Sequence, residues 1–271
     1  MNFRTLEISE PSLMPEGLLC VTVKSKALKQ RADLTMFLPK ELTQLRNLPI
    51  VTLLHGVYGS HWSWAFKGAA HLTAAQMMRQ GEIKPMALVM PSDGLWGDGS
   101  GYVQHAHQDF EQWIVEEVPD IAMQIFEACN SESNCYIAGL SMGGFAALRL
   151  AGKYPERYLA ASAHSSLSDI SQIDALIEES RDHWADDAVS TSVLAALQSA
   201  HPRPALRFDC GLDDAYLNTN RQLHQALLSL NIEHIYEEYP GGHDWSYWKL
   251  HLADSLRFFS RFESGQSMRQ A

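Results

Sequence analysis

The apolar run Pro49-Ile50-Val51-Thr52-Leu53-Leu54, ending in His55-Gly56, limits this chain more than any other stretch. A near-continuous apolar strand is one buried on both faces, and such strands belong to parallel sheets covered by helices on each side. Met86-Ala87-Leu88-Val89-Met90, stopped by Pro91, reads the same way, as does Asn134-Cys135-Tyr136-Ile137-Ala138. Residues 158–163, 205–210 and 234–239 read as further strands. Helices are expected over 70–79, 109–129, 219–230 and 250–262, with Pro119 kinking or restarting the second. Residues 18–28 and 31–38 read as two strands joined by a tight turn. The expected fold class is α/β: a mostly parallel central sheet with helices on both faces and an N-terminal antiparallel hairpin. Residues 165–200 interrupt the alternation with a polar, helical segment, either a layer over the site or connecting structure.

A chain of 271 residues suffices for one large α/β domain or two small ones. A net charge of −11 disfavours nucleic acid and anionic membranes as partners. No apolar run reaches the length of a membrane span, and the first residues lack the apolar centre of a signal peptide, so a cytoplasmic location is expected. The four cysteines have no metal-binding spacing. Cys20, Cys135 and Cys210 sit in apolar runs and read as buried free thiols, and Cys129 lies at a helix end. His105-Ala106-His107, near Asp93 and Asp98, has no third ligand at a recognised spacing, so no metal is expected.

Gly139-Leu140-Ser141-Met142-Gly143 carries the chemistry. It fits G-x-S-x-G between an apolar strand and a helix, the setting that pushes a serine hydroxyl out above a sheet. A serine hydroxyl needs a base to act as a nucleophile, and the base needs an orienting carboxylate. Strand 205–210 runs into Gly211-Leu212-Asp213-Asp214, and strand 234–239 runs into Pro240-Gly241-Gly242-His243. His243 is the candidate base. Of the two adjacent carboxylates Asp214 is preferred and Asp213 is left as the alternative. His224 and His234 read as structural, and Asp244 as pointing away from the imidazole. An oxyanion would be held by the amide of Met142 and by that of Val57, in the loop opened by His55-Gly56. Tyr58, Trp62, Trp64, Trp96 and Trp245 fall in loops at the same end of the sheet. Of these, Tyr58, Trp62, Trp96 and Trp245 are the candidate substrate-binding residues.

With those residues placed, the chain resembles the putative esterase family of the α/β-hydrolase superfamily. That family includes esterase D (S-formylglutathione hydrolase), tributyrin-type carboxylesterases, feruloyl esterases and mycolyltransferases. The resemblance rests on Leu53-Leu54-His55-Gly56, Val89-Met90-Pro91, Gly139–Gly144, Tyr154-Pro155-Glu156-Arg157-Tyr158, Cys210–Asp214 and Gly241-Gly242-His243-Asp244-Trp245-Ser246-Tyr247-Trp248. It implies a single α/β-hydrolase domain over 1–271 that needs no cofactor. It implies a serine carboxylesterase that cleaves short-chain acyl esters through an acyl-enzyme, with Asp214 as the acid. A thioesterase or acyltransferase on the same triad is the alternative, and a non-catalytic scaffold is disfavoured because no triad member is missing. The implied partner is a small ester, and the relatives imply a homo-oligomer.

Overall fold

The computed structural model describes residues 3–263. Its nine strands form one sheet in the order β1-β2-β3-β5-β4-β6-β7-β8-β9. The antiparallel part is β1 (Phe3–Ile8), β2 (Leu18–Ser25) and β3 (Arg31–Phe37), with β3 also antiparallel to β5 (Ala87–Pro91). The parallel part adds β4 (Ile50–Leu54), β6 (Cys135–Leu140), β7 (Ala160–His164), β8 (Ala205–Gly211) and β9 (Ile235–Tyr239). The hairpin expected from the sequence is thus two strands of a three-stranded antiparallel edge. β1 escaped the sequence pattern because FRTLEI alternates weakly and lies mostly exposed on the outermost position.

The near-continuous apolar runs are explained by two cores. Ile50 and Leu54 face one, while Val51 and Leu53 face the other. On the second face lie α1 (Ser63–Phe66), α2 (Ala70–Arg79) and the C-terminal α9 (Trp245–Ser260). The first face carries α3 (Phe110–Gln112), α4 (Val118–Ile125), α5 (Met142–Lys153), α7 (Val193–Ser199) and α8 (Leu217–Ser229), with α6 (Ala188–Thr191) leading into α7.

The helix expected over 109–129 is broken in a specific way. α3 is capped by the Asp109 carboxylate, which accepts the Gln112 amide. It passes into a π-helical turn, Trp113–Glu117, before α4 begins. Pro119 has no amide to donate, and its ring would strike the carbonyl of the residue four before it. The wider π turn, with the Val118 amide reaching back to the Trp113 carbonyl, makes room for the ring. Residues 165–200 hold a 3-10 turn (Ile170–Ala175), α6 and α7, with irregular chain between them.

What places the site is the strand order. The chain winds from β4 to β5 on one side and then crosses to β6 on the other. The loops after β4 and β6 therefore face each other across a crevice at the carboxyl ends of neighbouring strands. Glycine is what lets them meet there. A methyl on Gly143 would lie 2.4 Å from the Leu54 carbonyl oxygen, and one on Gly139 only 2.1 Å from that of Gly143.

Candidate active site

Ser141 sits between β6 and α5 with φ 55° and ψ −120°, a strained backbone for a residue with a side chain. Its amide is held by the His164 carbonyl at 2.9 Å. The fixed turn aims the hydroxyl at His243, whose Nε2 is 3.1 Å from Ser141 Oγ. His243 Nδ1 lies 3.0 and 3.1 Å from the two oxygens of Asp214. Two loops bring the acid and the imidazole together. The Asp213 amide donates to the Gly241 carbonyl, and a methyl on Gly211 would lie 2.3 Å from that same oxygen. No larger residue would let the loops after β8 and β9 close this far.

Burial alone would raise the Asp214 pKa, but donors outweigh it. The His243 imidazole, the Ser165 hydroxyl and the Tyr216 amide, the last at 2.8 Å, together hold it below the usual carboxylate value. An ionised carboxylate only accepts, so Nδ1 carries the imidazole proton and Nε2 is free to receive one from Ser141. The ring is held from both sides. Tyr216 lies 5.2 Å away at 55°, and Trp248 meets it edge-on at 5.0 Å.

The loop after β4 is equally fixed. The Asp93 amide donates to His55 Nε2 at 3.0 Å, so Nδ1 holds the proton and donates to the Gly56 carbonyl at 2.7 Å. That carbonyl shares its peptide with the Val57 amide, and a trans peptide points the two in opposite directions. Pinning one aims the other. Gly56 approaches Ser141 so closely that a methyl on it would lie 3.2 Å from Ser141 Cβ. Met142 is the first residue of α5, where amides have no intrahelical acceptor and the helix dipole favours negative charge.

A cavity of about 460 Å³ opens over Ser141 and His243. Tyr58, Trp62 and Trp245 line it. Trp96 does not. It packs against the rings of His105 and Trp184 at 4.7 and 5.6 Å. Trp64 is buried, donates to the Leu54 carbonyl at 2.9 Å and meets Trp245 edge-on. Leu176, Lys67, Tyr216 and Trp248 line the cavity without having been singled out. Tyr58 reaches across the mouth, its hydroxyl donating to the Leu176 carbonyl in segment 165–200.

The remaining candidates have structural partners. Asp244 caps α9 by accepting the Ser246 and Tyr247 amides, and His224 pairs with His234 at 2.7 Å. His105 is bonded to the Ser100 carbonyl and stacked on Trp184, and burial lowers its pKa to about 4. Among the described residues, no group of three or more His, Cys, Asp or Glu is placed to hold a metal ion. All four cysteines are free; Cys129 and Cys210 are buried, while Cys20 and Cys135 are partly exposed.

A second carboxylate–imidazole–hydroxyl line runs beneath the first. Asp209 pairs with His164 at 2.9 Å, His164 Nε2 meets Ser255 Oγ at 2.9 Å, and Ser255 meets Ser162 at 2.7 Å. It copies the connectivity of a triad, yet all four residues are fully buried, so no ester can reach them. Burial raises the Asp209 pKa, but His164 and Arg207 outweigh it and bring it to about 2. Arg207 bonds Asp209 at 2.5 Å and is itself buried. Replacing it with leucine strands a buried carboxylate, and we expect a loss of about 3–5 kcal/mol in urea unfolding. An unchanged urea midpoint would show that the network does not depend on this cation.

A family model described as Putative esterase matches residues 25–259. The chain belongs to the Putative esterase family. Among curated proteins, the chain is similar to an acetyl esterase of Caldicellulosiruptor saccharolyticus, 25% identical over 273 residues, covering 90% of this chain and 98% of that one. A solved ferulic acid esterase is 26% identical, with a TM-score of 0.72 over 90% of this chain and 97% of that one. An S-formylglutathione hydrolase from Agrobacterium tumefaciens shares the fold at a TM-score of 0.76 and 20% identity, covering 96% and 99%. Membership of this family makes the chain an esterase, a carboxylic ester hydrolase. No helix among the described residues is long and apolar enough to cross a membrane.

Proposed function

We propose that this esterase hydrolyses short-chain acyl esters, with Ser141 as nucleophile, His243 as general base and Asp214 as the orienting acid. The observation that carries this reading is the continuous line Asp214–His243–Ser141 opening into a small, aromatic-walled cavity. His243 Nε2 takes the Ser141 proton as Oγ attacks the carbonyl carbon. The carbonyl oxygen becomes an oxyanion held by the Val57 and Met142 amides. His243 then gives its proton to the leaving alcohol oxygen. Water attacks the acyl-enzyme, losing its proton to the same nitrogen, and the acid departs as Ser141 regains its hydrogen.

The size and apolar lining of the cavity support an acyl group of a few carbons, and the acetyl esterase relative points the same way. A panel of chromogenic esters of increasing acyl length, with S-formylglutathione and a feruloyl ester included, tests this. Turnover is expected to peak at two to four carbons, roughly, and to fall as chains outgrow the pocket. Faster turnover of S-formylglutathione than of any ester would move the assignment to a thioesterase. Folded protein that neither cleaves an ester nor reacts with an organophosphonate probe would be a scaffold.

A further inference from the structure

The loop after β5 holds the loop after β4 at three points. The Asp93 amide donates to His55 Nε2 at 3.0 Å, the Tyr102 hydroxyl donates to the His55 carbonyl at 3.1 Å, and the Asp98 carbonyl accepts the Tyr58 amide at 2.9 Å. Tyr102 is fully buried, and burial and the nearby Asp93 charge push its phenol well above the usual range. The phenol therefore keeps its proton and donates it.

Tyr102 is itself held. It has φ 54°, a strained conformation for a residue with a side chain. Its amide donates to Ser100 Oγ at 3.2 Å, and that hydroxyl donates in turn to the Asp93 carbonyl at 2.8 Å. The Asp93 carboxylate closes the loop by accepting the Leu95 and Ser100 amides. The Arg149 guanidinium donates to the Tyr102 carbonyl at 2.7 Å, with its charge balanced by Glu111 at 2.5 Å, and both are buried. None of these side chains lines the cavity over Ser141.

Resting on the catalytic reading of Ser141, His243 and Asp214 given above, we propose that Tyr102 is a positioning residue for the oxyanion site: its hydroxyl fixes the His55 carbonyl and so keeps the Val57 amide aimed at the developing charge. The peptide that carries the Val57 amide lies between two that the β5 loop grips. Tyr102 holds the one before it through the His55 carbonyl, and Asp98 holds the one after it through the Tyr58 amide. The His55 ring pins the middle peptide through the Gly56 carbonyl. Among the described residues the Val57 amide itself meets no acceptor, which leaves it to an oxyanion. Without the Tyr102 hydroxyl the first grip is gone. The chain can then turn about Gly56, which has no side chain to resist it. A donor tilted off its line weakens most where the charge is largest, in the transition state.

The test uses the full chain with Tyr102→Phe, which removes one oxygen and keeps the ring. Deleting an oxyanion donor outright costs about 10²–10³ in kcat, and misaiming one should cost less. We expect kcat on a short aryl ester to fall about ten- to fiftyfold, with KM within about twofold. The second readout is inhibition by an alkyl trifluoromethyl ketone. Ser141 Oγ adds to its carbonyl carbon, the hydroxyl proton passes to His243, and the carbonyl oxygen becomes an oxyanion in the same site. Its inhibition constant should rise by the factor by which kcat/KM falls. A merely structural tyrosine would lower the urea midpoint and leave kcat and ketone affinity at the parent's values in folded protein. That result would overturn the proposal, as would a fall in kcat with ketone affinity unchanged. Ser100→Ala keeps the hydroxyl but loosens the Tyr102 amide, so both quantities should shift the same way by less. If Tyr102→Phe does not fold, parent values in Ser100→Ala overturn the proposal instead. Failure of the underlying catalytic reading looks different: Ser141→Ala would keep its activity, and the parent enzyme would not bind the ketone.

Discussion

Replacing Ser141 with alanine will lower hydrolysis of a short aryl ester by about 10⁴-fold or more in kcat, with the fold intact. The reason is in the geometry. The other parts of the site, the Val57 and Met142 amides and the cavity, can still bind an ester and polarise its carbonyl, but no oxygen remains to attack it. Folding should not suffer, because Ser141 Oγ makes its contact with His243 at the cavity floor and anchors no backbone. The variant separates the two carboxylate–imidazole–hydroxyl lines. Ser255→Ala removes the hydroxyl of the sealed line and is expected to leave turnover within about threefold, while costing stability through the lost bonds to His164 and Ser162. Rates measured on both variants, with circular dichroism to confirm folding, decide the matter. Activity that survives Ser141→Ala and vanishes with Ser255→Ala would reverse the assignment.

Asp214→Asn should lower kcat by about 10⁴-fold, while Asp213→Asn should leave it within about threefold. The asparagine is nearly isosteric, so the loops after β8 and β9 can still close. Its amide nitrogen would meet His243 Nδ1 donor to donor unless the side chain flips or the imidazole changes tautomer. If the tautomer changes, the proton sits on Nε2, facing Ser141, and the imidazole cannot accept from the hydroxyl. Asp213 is exposed, and its amide rather than its carboxylate holds the loop. Comparable activity in Asp214→Asn and the parent, or a collapse in Asp213→Asn, would show that the adjacent acid does the work.

Ser141, Asp214 and His243 were legible in the sequence because each is announced by its immediate neighbours. A serine between glycines at a strand–helix junction, an acid after a strand-end glycine and a histidine after two glycines are local patterns. The three meet because the loops after β6, β8 and β9 lie at the same end of the parallel sheet. Trp248 and Tyr216 were not legible, because their part depends on which way a helix face and a loop point relative to the imidazole. Trp96 shows the same limit from the other side: an aromatic residue in the right loop turned toward His105 and Trp184 instead of the cavity. The buried line of Asp209, His164 and Ser255 requires β7, β8 and α9 to be neighbours, which no spacing within one element reveals. In the fold, the parallel strands were plain from their double-sided burial. The edge strand β1 and the π turn were not, one being mostly exposed and the other an accommodation to Pro119.

The left-handed residues Tyr58, Ser141 and Ser165 follow three strands, β4, β6 and β7, at the same end of the sheet. Each holds a conformation of order 1–3 kcal/mol above a relaxed one. Asn47 before β4 and Asn231 before β9 are left-handed too, but only the carboxyl-end residues border the loops of the site, which matters to anyone wishing to harden the molecule against heat. Substitutions that relax the carboxyl-end rim would trade turnover for robustness, since the same backbone aims the working side chains. The opposite end carries no such obligation. Exposed Leu228 near the end of α8, and the surface around Arg203 and Glu233 below β8 and β9, can be redesigned without touching the chemistry.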